Sequence, residues 1–171
     1  MPTFRTVRHV PYTPEAMLEL VADVERYPEF LPLCESLKVL SRKREPDGAE
    51  IIVARMGVGY GPIHETFTSR VEIARTGLQI QVSYLDGPFR RLENTWSFRA
   101  SGNGCDVDFH IDYEFRSIAL QLLLGAMFDR AFRKFAEAFE TRARKVYGTS
   151  RTVVAVENVL AAKGPALPSA L

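Results

Sequence analysis

The segment CDVDFHIDYEF, residues 105–115, alternates apolar and polar side chains over its whole length. Its odd-numbered residues from Val107 to Phe115 are apolar, and its even-numbered residues are aspartate, histidine or glutamate. Successive side chains of a β-strand point to opposite faces, so this pattern predicts a strand with one dry and one solvated face. Such a strand belongs in an antiparallel sheet whose apolar face is covered by another element.

The same alternation continues upstream of this segment, interrupted by short stretches rich in Gly, Pro, Asp and Asn. These turn signals separate six predicted strands, at about 34–44, 49–56, 63–74, 78–85, 91–100 and 105–115. A further strand is predicted over Thr3 to Val10. Because the connections are short, we expect antiparallel hairpins joined as a meander. In the fifth of the six, Asn94 falls on the apolar side.

Helical patterns flank this block of strands. Thr13-Pro14-Glu15 is typical of a helix start, and a second short helix is predicted over Val24 to Phe30. After Ser117 the apolar residues recur at helical spacing, which predicts one long helix ending at Gly148. Residues 1–148 are therefore expected to form one domain, and residues 149–171 a flexible tail.

This order of elements predicts an α+β fold, with a curved antiparallel sheet of about seven strands wrapped around the long C-terminal helix. The two short helices would follow the first strand. A curved sheet that grips one helix leaves a concave space between them, so we expect an internal pocket lined by aromatic and aliphatic side chains. The alternative is that the same side chains fill a solid core.

Composition limits the class of protein. The chain has 171 residues, 46% of them hydrophobic, and a formal net charge of +1, which excludes general disorder and does not indicate overall attraction to nucleic acid. The longest apolar stretch, Ile118 to Phe128, is too short to cross a bilayer. Cys34 and Cys105 are expected to be free, buried thiols in a reducing compartment. Because no signal or transit peptide precedes the first strand, we expect a cytoplasmic bacterial protein.

The residue types needed for catalysis are sparse, so no catalytic residue and no metal site is predicted. His110 lies among carboxylates on the solvated face, which favours a solvent-exposed role. His64 follows a glycine-rich segment, where it is an ordinary loop residue or faces a ligand. That segment, residues 57–61, is predicted to be a hinge or lid at the pocket mouth, with Val58 and Tyr60 as its apolar contacts.

The predicted long helix changes character along its length. Leu122 and Leu123 lie off its main apolar stripe, so they meet the core or a second copy of the chain, or else a membrane or another partner. Leu123 is also placed at the pocket entrance. Basic residues gather in the later half, which is either a solvated face or a surface for lipid headgroups or RNA phosphate.

Several short motifs in order resemble the coenzyme Q-binding proteins and the related ribosome-association toxins, also described as oligoketide cyclases, of the START-like helix-grip superfamily. The motifs are VERYPEFLPLC (24–34), GYGP (59–62) with FTSRV (67–71), LENTWSF (92–98), CDVDF (105–109) with YEFRS (113–117), and FETRA (139–143) with YG (147–148). The resemblance covers about residues 3–148. It implies the same helix-grip fold, no covalent or metal cofactor, and a ubiquinone-like lipid held without chemistry.

Combined with the strand alternation, this resemblance gives the predicted ligand-binding residues. They are Phe67, Ser69, Val71, Tyr84, Asn94, Trp96, Phe98, Phe109, Tyr113, Met127 and Phe128. Ser69, Asn94 and Tyr113 are the expected polar anchors for a quinone ring. Val58, Tyr60 and Leu123 are the expected lid.

Three functions follow as hypotheses. The first is a carrier or chaperone that holds an isoprenoid quinone or other lipid for respiration, in contact with the inner membrane surface. The second, implied by the family, is binding to the large ribosomal subunit. The third is a polyketide cyclase or aromatase, for which the sequence offers no acid–base pair. The oligomeric state is left open.

Overall fold

The computed structural model describes residues 3–148. The tail predicted over residues 149–171 lies outside the described residues. The helices and strands follow in the order β1 (Thr3–Val10), α1 (Pro14–Ala22), a 3-10 helix (Val24–Glu29), β2 (Cys34–Arg44), β3 (Glu50–Tyr60), β4 (Ile63–Ala74), β5 (Gln79–Asp86), β6 (Phe89–Ser101), β7 (Gly104–Phe115), α2 (Ile118–Arg133) and α3 (Phe135–Tyr147).

The strands form one seven-stranded antiparallel sheet, in the order β1-β7-β6-β5-β4-β3-β2. β2 to β6 each pair with the next strand in sequence, and β1 completes the sheet beside β7, where Phe4 lies opposite Ile111. Along β7 every odd-numbered residue from Val107 to Phe115 is buried, and the even-numbered ones are only partly covered. The α+β class, the meander and the one dry face predicted from alternation are therefore confirmed.

The predicted long helix is two helices, α2 and α3, joined at Lys134. The Lys134 N–H donates to the carbonyl of Ala131, three residues back, at 3.0 Å, which tightens the end of α2 before α3 begins. No Pro or Gly lies near this position, so the break has no local sequence signal. Instead the two helices follow different neighbours: α2 packs on β7 and β1, whereas α3 packs on α1 and β1.

The glycine-rich segment predicted as a hinge or lid is part of β3 up to Tyr60. It pairs on both sides, with Val58 opposite Cys34 of β2 and Gly57 opposite Thr66 of β4. A Cβ atom at Gly57 would lie 2.3 Å from the Ser36 hydroxyl oxygen. The Ser36 side chain of β2 therefore packs closely over Gly57, and this segment is a paired strand of the sheet.

An ionic cluster around the buried carboxylate of Glu50 joins α1 to the sheet. Glu50 is 3% exposed and accepts hydrogen bonds from Arg42 at 2.9 Å and Arg75 at 3.0 Å, while Arg75 also pairs with Glu19 of α1. Burial raises the pKa of Glu50, but the hydrogen bonds from the two arginines outweigh it and leave the pKa below its usual value. Glu50 therefore stays ionised and holds this end of the fold closed.

Candidate ligand-binding cavity

An apolar cavity of about 90 Å³ lies between the sheet and the helices α2 and α3. Strands β2 to β7 supply its floor, the two helices supply its roof, and the 3-10 helix with the loop after it closes one end. Its lining is Val24, Tyr27, Leu31, Pro32, Leu33, Leu37, Ala54, Met56, Val58, Phe67, Ser69, Val71, Val82, Leu92, Asn94, Trp96, Ile111, Phe128, Ala131, Phe132, Phe135 and Phe139. The pocket predicted from the curved sheet is therefore present, and it is small.

Polar atoms are few in this lining, and the protein itself uses almost all of them. Asn94 donates from its Nδ2 to the His110 carbonyl at 2.9 Å and accepts from the Trp96 Nε1 at 2.9 Å. The Tyr27 hydroxyl donates to the Val21 carbonyl. These bonds fix the cavity wall and leave those three side chains committed to protein partners.

Ser69 is the exception. Its residue is 6% exposed, and its Oγ is buried with no hydrogen-bond partner. Buried polar groups in proteins are normally paired, so an unpaired hydroxyl facing an apolar space marks a position where another molecule can bond.

The cavity is also uncharged: no Asp, Glu, Lys, Arg or His of residues 3–148 lines it. Transferring an ion from water into such surroundings is strongly unfavourable unless it meets a partner charge. The arrangement therefore suits a neutral, largely apolar molecule. It offers no pair of ionisable side chains for general acid–base chemistry within the described chain.

The structure brings together seven of the predicted site residues around this cavity. They are Val58, Phe67, Ser69, Val71, Asn94, Trp96 and Phe128. Alternation within β3, β4 and β6 points six of these side chains to the concave face, and Phe128 of α2 lies opposite them. That they bind a ligand stays a prediction.

Two other predicted residues lie on the same face of the sheet but outside the cavity lining. Tyr84 pairs with Ser69 at the edge of a register shift between β4 and β5, with its ring 5.7 Å from that of Phe89 and its hydroxyl accepting the Phe89 N–H. Phe98 stacks on the Trp96 ring, centroids 6.3 Å apart, and is buried. Alternation fixes the face of a side chain but not its position along the sheet, which explains both differences.

Three more predicted residues serve the packing beneath or beside α2 instead of the lining. Phe109 is fully buried with its ring edge-on to Trp96 at 4.6 Å. The Tyr113 hydroxyl donates to the Gly125 carbonyl at 3.1 Å, and burial raises the pKa of Tyr113 to about 12, so it remains a donor that ties α2 to the sheet. Met127 is half-buried on the flank of α2.

The predicted lid is not assembled as one. Val58 lines the cavity, but Tyr60 is 55% exposed at the end of β3 and Leu123 is 63% exposed on the outer face of α2. The lining residues Pro32 and Leu33, which are partly exposed, lie in the loop between the 3-10 helix and β2.

Sequence reasoning missed this loop and most of the helix lining. Leu33 adopts a left-handed backbone conformation, with φ of 66°, and its carbonyl accepts the Gly59 N–H at 3.0 Å. A leucine rarely adopts this conformation, and no residue type in the loop signals it. Phe135 and Phe139 did carry a signal, since they belong to the predicted apolar stripe of the long helix, whereas Phe132 lies outside that stripe. A stripe alone does not show whether a residue packs in the core or lines a cavity.

The size of the cavity limits what it holds as it stands. An apolar cavity of about 150 Å³ accommodates a benzene molecule, and this one is smaller. A ring with a polyprenyl chain therefore enters only if a wall moves. α2 is one wall of the cavity, and it ends at the break at Lys134. A buried hydrogen bond from the Tyr113 hydroxyl to the Gly125 carbonyl joins α2 to the sheet.

The thiols lie outside this cavity lining. Burial raises the pKa of Cys34 to about 11 and that of Cys105 to about 12, so both are protonated at neutral pH. Both are buried, as predicted. A protonated, buried thiol is a poor nucleophile, which fits a packing role.

Comparison with known proteins places these features in a family. Residues 10–140 match the family described as polyketide cyclase / dehydrase and lipid transport. The ribosome association toxin RatA of Escherichia coli (strain K12) is 33% identical over 148 residues, which span 86% of this chain and 90% of that protein. A coenzyme Q-binding protein, COQ10 homolog B of Xenopus laevis, is 32% identical over 82% of this chain and 57% of that protein.

A solved structure confirms the fold. A START superfamily protein from Mycobacterium smegmatis superimposes with a TM-score of 0.69 at 20% sequence identity, covering 84% of this chain and 98% of that one. The predicted START-like helix-grip fold is therefore correct, with the gripped helix divided in two.

Proposed function

Because the chain belongs to the polyketide cyclase/dehydrase and lipid transport family, with ribosome association toxins and a coenzyme Q-binding protein among its relatives, we propose that it binds a hydrophobic ligand in the cavity. The ligand of this proposal is a ubiquinone-like polyprenyl lipid, carried without chemical change for use in respiration. The single observation that supports it best is the apolar, uncharged cavity under α2.

The driving force for such binding is burial of apolar surface. It contributes about 25 cal/mol for each Å² removed from water, so a quinone ring with even one isoprenoid unit gains substantially. Trp96, Phe128 and Phe139 line the cavity, and aromatic side chains of this kind pack well against a planar ring. The proposal assigns binding rather than catalysis because the lining supplies shape and apolar contact.

Entry of the ligand requires α2 to move, and the proposal places the pivot at the Lys134 break. The outer face of α2 carries Ile118, Leu122 and Leu123, which are 81%, 80% and 63% exposed. None of the helices within residues 3–148 is long and apolar enough to cross a bilayer. Contact of this face with a membrane surface, from which a lipid is collected, stays a prediction.

Trp96 provides the test of the proposed function. It is the single tryptophan of the chain and lines the cavity, so a quinone bound there quenches its fluorescence by direct contact. Titration with a short-chain ubiquinone analogue is expected to give saturable quenching. The control is free N-acetyltryptophanamide, which shows collisional quenching only. Quenching of the protein that matches the free compound and never saturates would contradict the proposal.

A second candidate function is binding to the large ribosomal subunit, as the printed name of the toxin relative suggests. The supporting observation is a set of exposed cations on the helices. Arg130, Lys134 and Lys145 are exposed and form no ion pair with any residue of the described chain. In contrast, Arg133 pairs with Asp129 at 2.9 Å. Free cations on an exposed helix surface can bind RNA phosphates.

Co-sedimentation with purified large subunits tests this second function. The wild-type protein is expected to comigrate at low salt and to dissociate as salt rises, since phosphate contacts release counterions. The triple variant Arg130→Glu, Lys134→Glu, Lys145→Glu is expected to lose comigration. The control is the triple variant Lys38→Glu, Lys43→Glu, Arg55→Glu, which makes the same charge change on the exposed sides of β2 and β3. If the two triple variants comigrate with the subunit equally well, the helix cations do not bind it. If the wild-type protein does not comigrate at low salt, it does not bind the subunit. Either result would contradict this second function.

A further inference from the structure

The Ser69 Oγ is the one buried side-chain polar atom of the cavity lining without a hydrogen-bond partner among residues 3–148. Resting on the proposed function, we propose that Ser69 is the specificity-determining residue of the cavity, and that it donates a hydrogen bond to a carbonyl oxygen of a neutral ligand. The ligand class is then a neutral carbonyl compound such as a quinone, and fatty acids and phospholipid headgroups are excluded from the cavity.

The position of Ser69 in the sheet supports this role. It lies in β4 between Phe67 and Val71, whose side chains also line the cavity, so its own side chain points to the same concave face. Its neighbour in β3 is Ala54, one of the two alanines of the lining. Its neighbour in β5 is Tyr84, whose hydroxyl accepts the Phe89 N–H, so neither neighbour pairs with the Ser69 hydroxyl.

The other polar side chains of the cavity lining already bond to the protein. Asn94 donates one amide N–H to the His110 carbonyl, and its oxygen accepts the Trp96 indole N–H. Tyr27 donates to the Val21 carbonyl. Of the three anchors predicted from sequence, Asn94 and Tyr113 bond to the protein and Tyr113 lies outside the lining, so Ser69 is the anchor without a partner among residues 3–148.

The chemistry of a buried hydroxyl decides the class of ligand. An unpaired hydroxyl in an apolar space has lost its bonds to water, and a ligand oxygen restores one of them. A site built around such a group discriminates against an analogue that lacks the oxygen, because that analogue leaves the hydroxyl unpaired. An ionised carboxylate or phosphate meets no cation among the described lining residues and would be buried without a partner charge.

Two compounds of nearly equal shape test the proposal directly. Tetramethylbenzoquinone and tetramethylbenzene (durene) carry methyl groups at the same ring positions and differ in two carbonyl oxygens. Their affinities are measured by displacement of the neutral fluorescent probe N-phenylnaphthylamine from the full chain. The substitution Ser69→Ala is expected to weaken binding of the quinone about tenfold and to leave binding of durene unchanged.

Ser83→Ala is the matched control, since Ser83 lies in the next strand opposite Arg70, on the face away from the cavity. It is expected to change neither affinity. An infrared spectrum of the bound quinone adds a direct readout: its carbonyl stretch should shift to higher frequency when Ser69 is replaced.

The outcomes separate this inference from the proposed function. If Ser69→Ala weakens both compounds equally or neither, Ser69 does not read the carbonyl, while hydrophobic binding in the cavity stands. If neither compound displaces the probe from the wild-type protein, the proposed function is wrong, and so is the role of Ser69.

Discussion

The substitution Ala54→Leu is expected to raise the free energy of unfolding and, at the same time, to abolish most ligand binding. Ala54 is 5% exposed, lines the cavity and lies opposite Ser69 in the neighbouring strand. Its three added carbons would occupy the void, and filling a void of this kind commonly stabilises a protein by about 1 kcal/mol. A ligand would then have to displace packed side chains, which weakens its binding about ten- to a hundredfold.

Urea denaturation and probe displacement measure the two effects on the same protein. Ala74→Leu is the matched control, because Ala74 lies on β4 facing away from the cavity. It should leave ligand affinity unchanged. A destabilised Ala54→Leu protein would mean that the space beside Ala54 is already filled, and an unchanged affinity would mean that ligands bind elsewhere.

Phe139→Ala is expected to be the most destabilising single substitution considered. The Phe139 ring is 1% exposed and contacts three aromatic rings edge-on, with centroid distances of 5.3 Å to Tyr27, 5.0 Å to Phe30 and 4.9 Å to Trp96. It therefore joins α3 both to the 3-10 helix and to the sheet. Truncating a buried phenylalanine costs about 3–5 kcal/mol, which corresponds to a fall in melting temperature on the order of 10 °C.

Thermal unfolding followed by circular dichroism measures this loss. Tyr60→Ala removes an aromatic ring that is 55% exposed, and such surface substitutions change stability by less than about 0.5 kcal/mol. The account requires a large difference between the two variants. Similar melting temperatures would show that Phe139 does not hold the helix to the sheet.

The sheet could be predicted from the sequence because its signal is local. Alternation has a period of two residues, so a few side chains along β7 already show which face is dry. Short connections then leave antiparallel pairing as the only option for β2 to β7. The same rule placed Ser69, Asn94 and Trp96 on the concave face, where the structure has them.

The features that the sequence did not reveal depend on contacts between distant segments. The break at Lys134 follows from the different neighbours of α2 and α3, and the left-handed Leu33 follows from the way β2 enters the sheet. Tyr84 and Phe98 show the same limit, since they share the predicted face but lie beyond the cavity. Which of several polar side chains is unpaired also depends on partners that only the folded chain supplies.

The central claim is that the space under α2 holds a neutral, apolar molecule, and the lipid content of the purified protein tests it most directly. The protein and its Ala54→Leu variant are purified from bacterial cells, extracted with organic solvent and analysed by mass spectrometry. The account predicts an isoprenoid quinone or another neutral carbonyl lipid in the wild-type extract, in an amount comparable to the protein, and a depleted variant. A wild-type extract free of lipid, from a protein that also fails to take up added quinone, would contradict it.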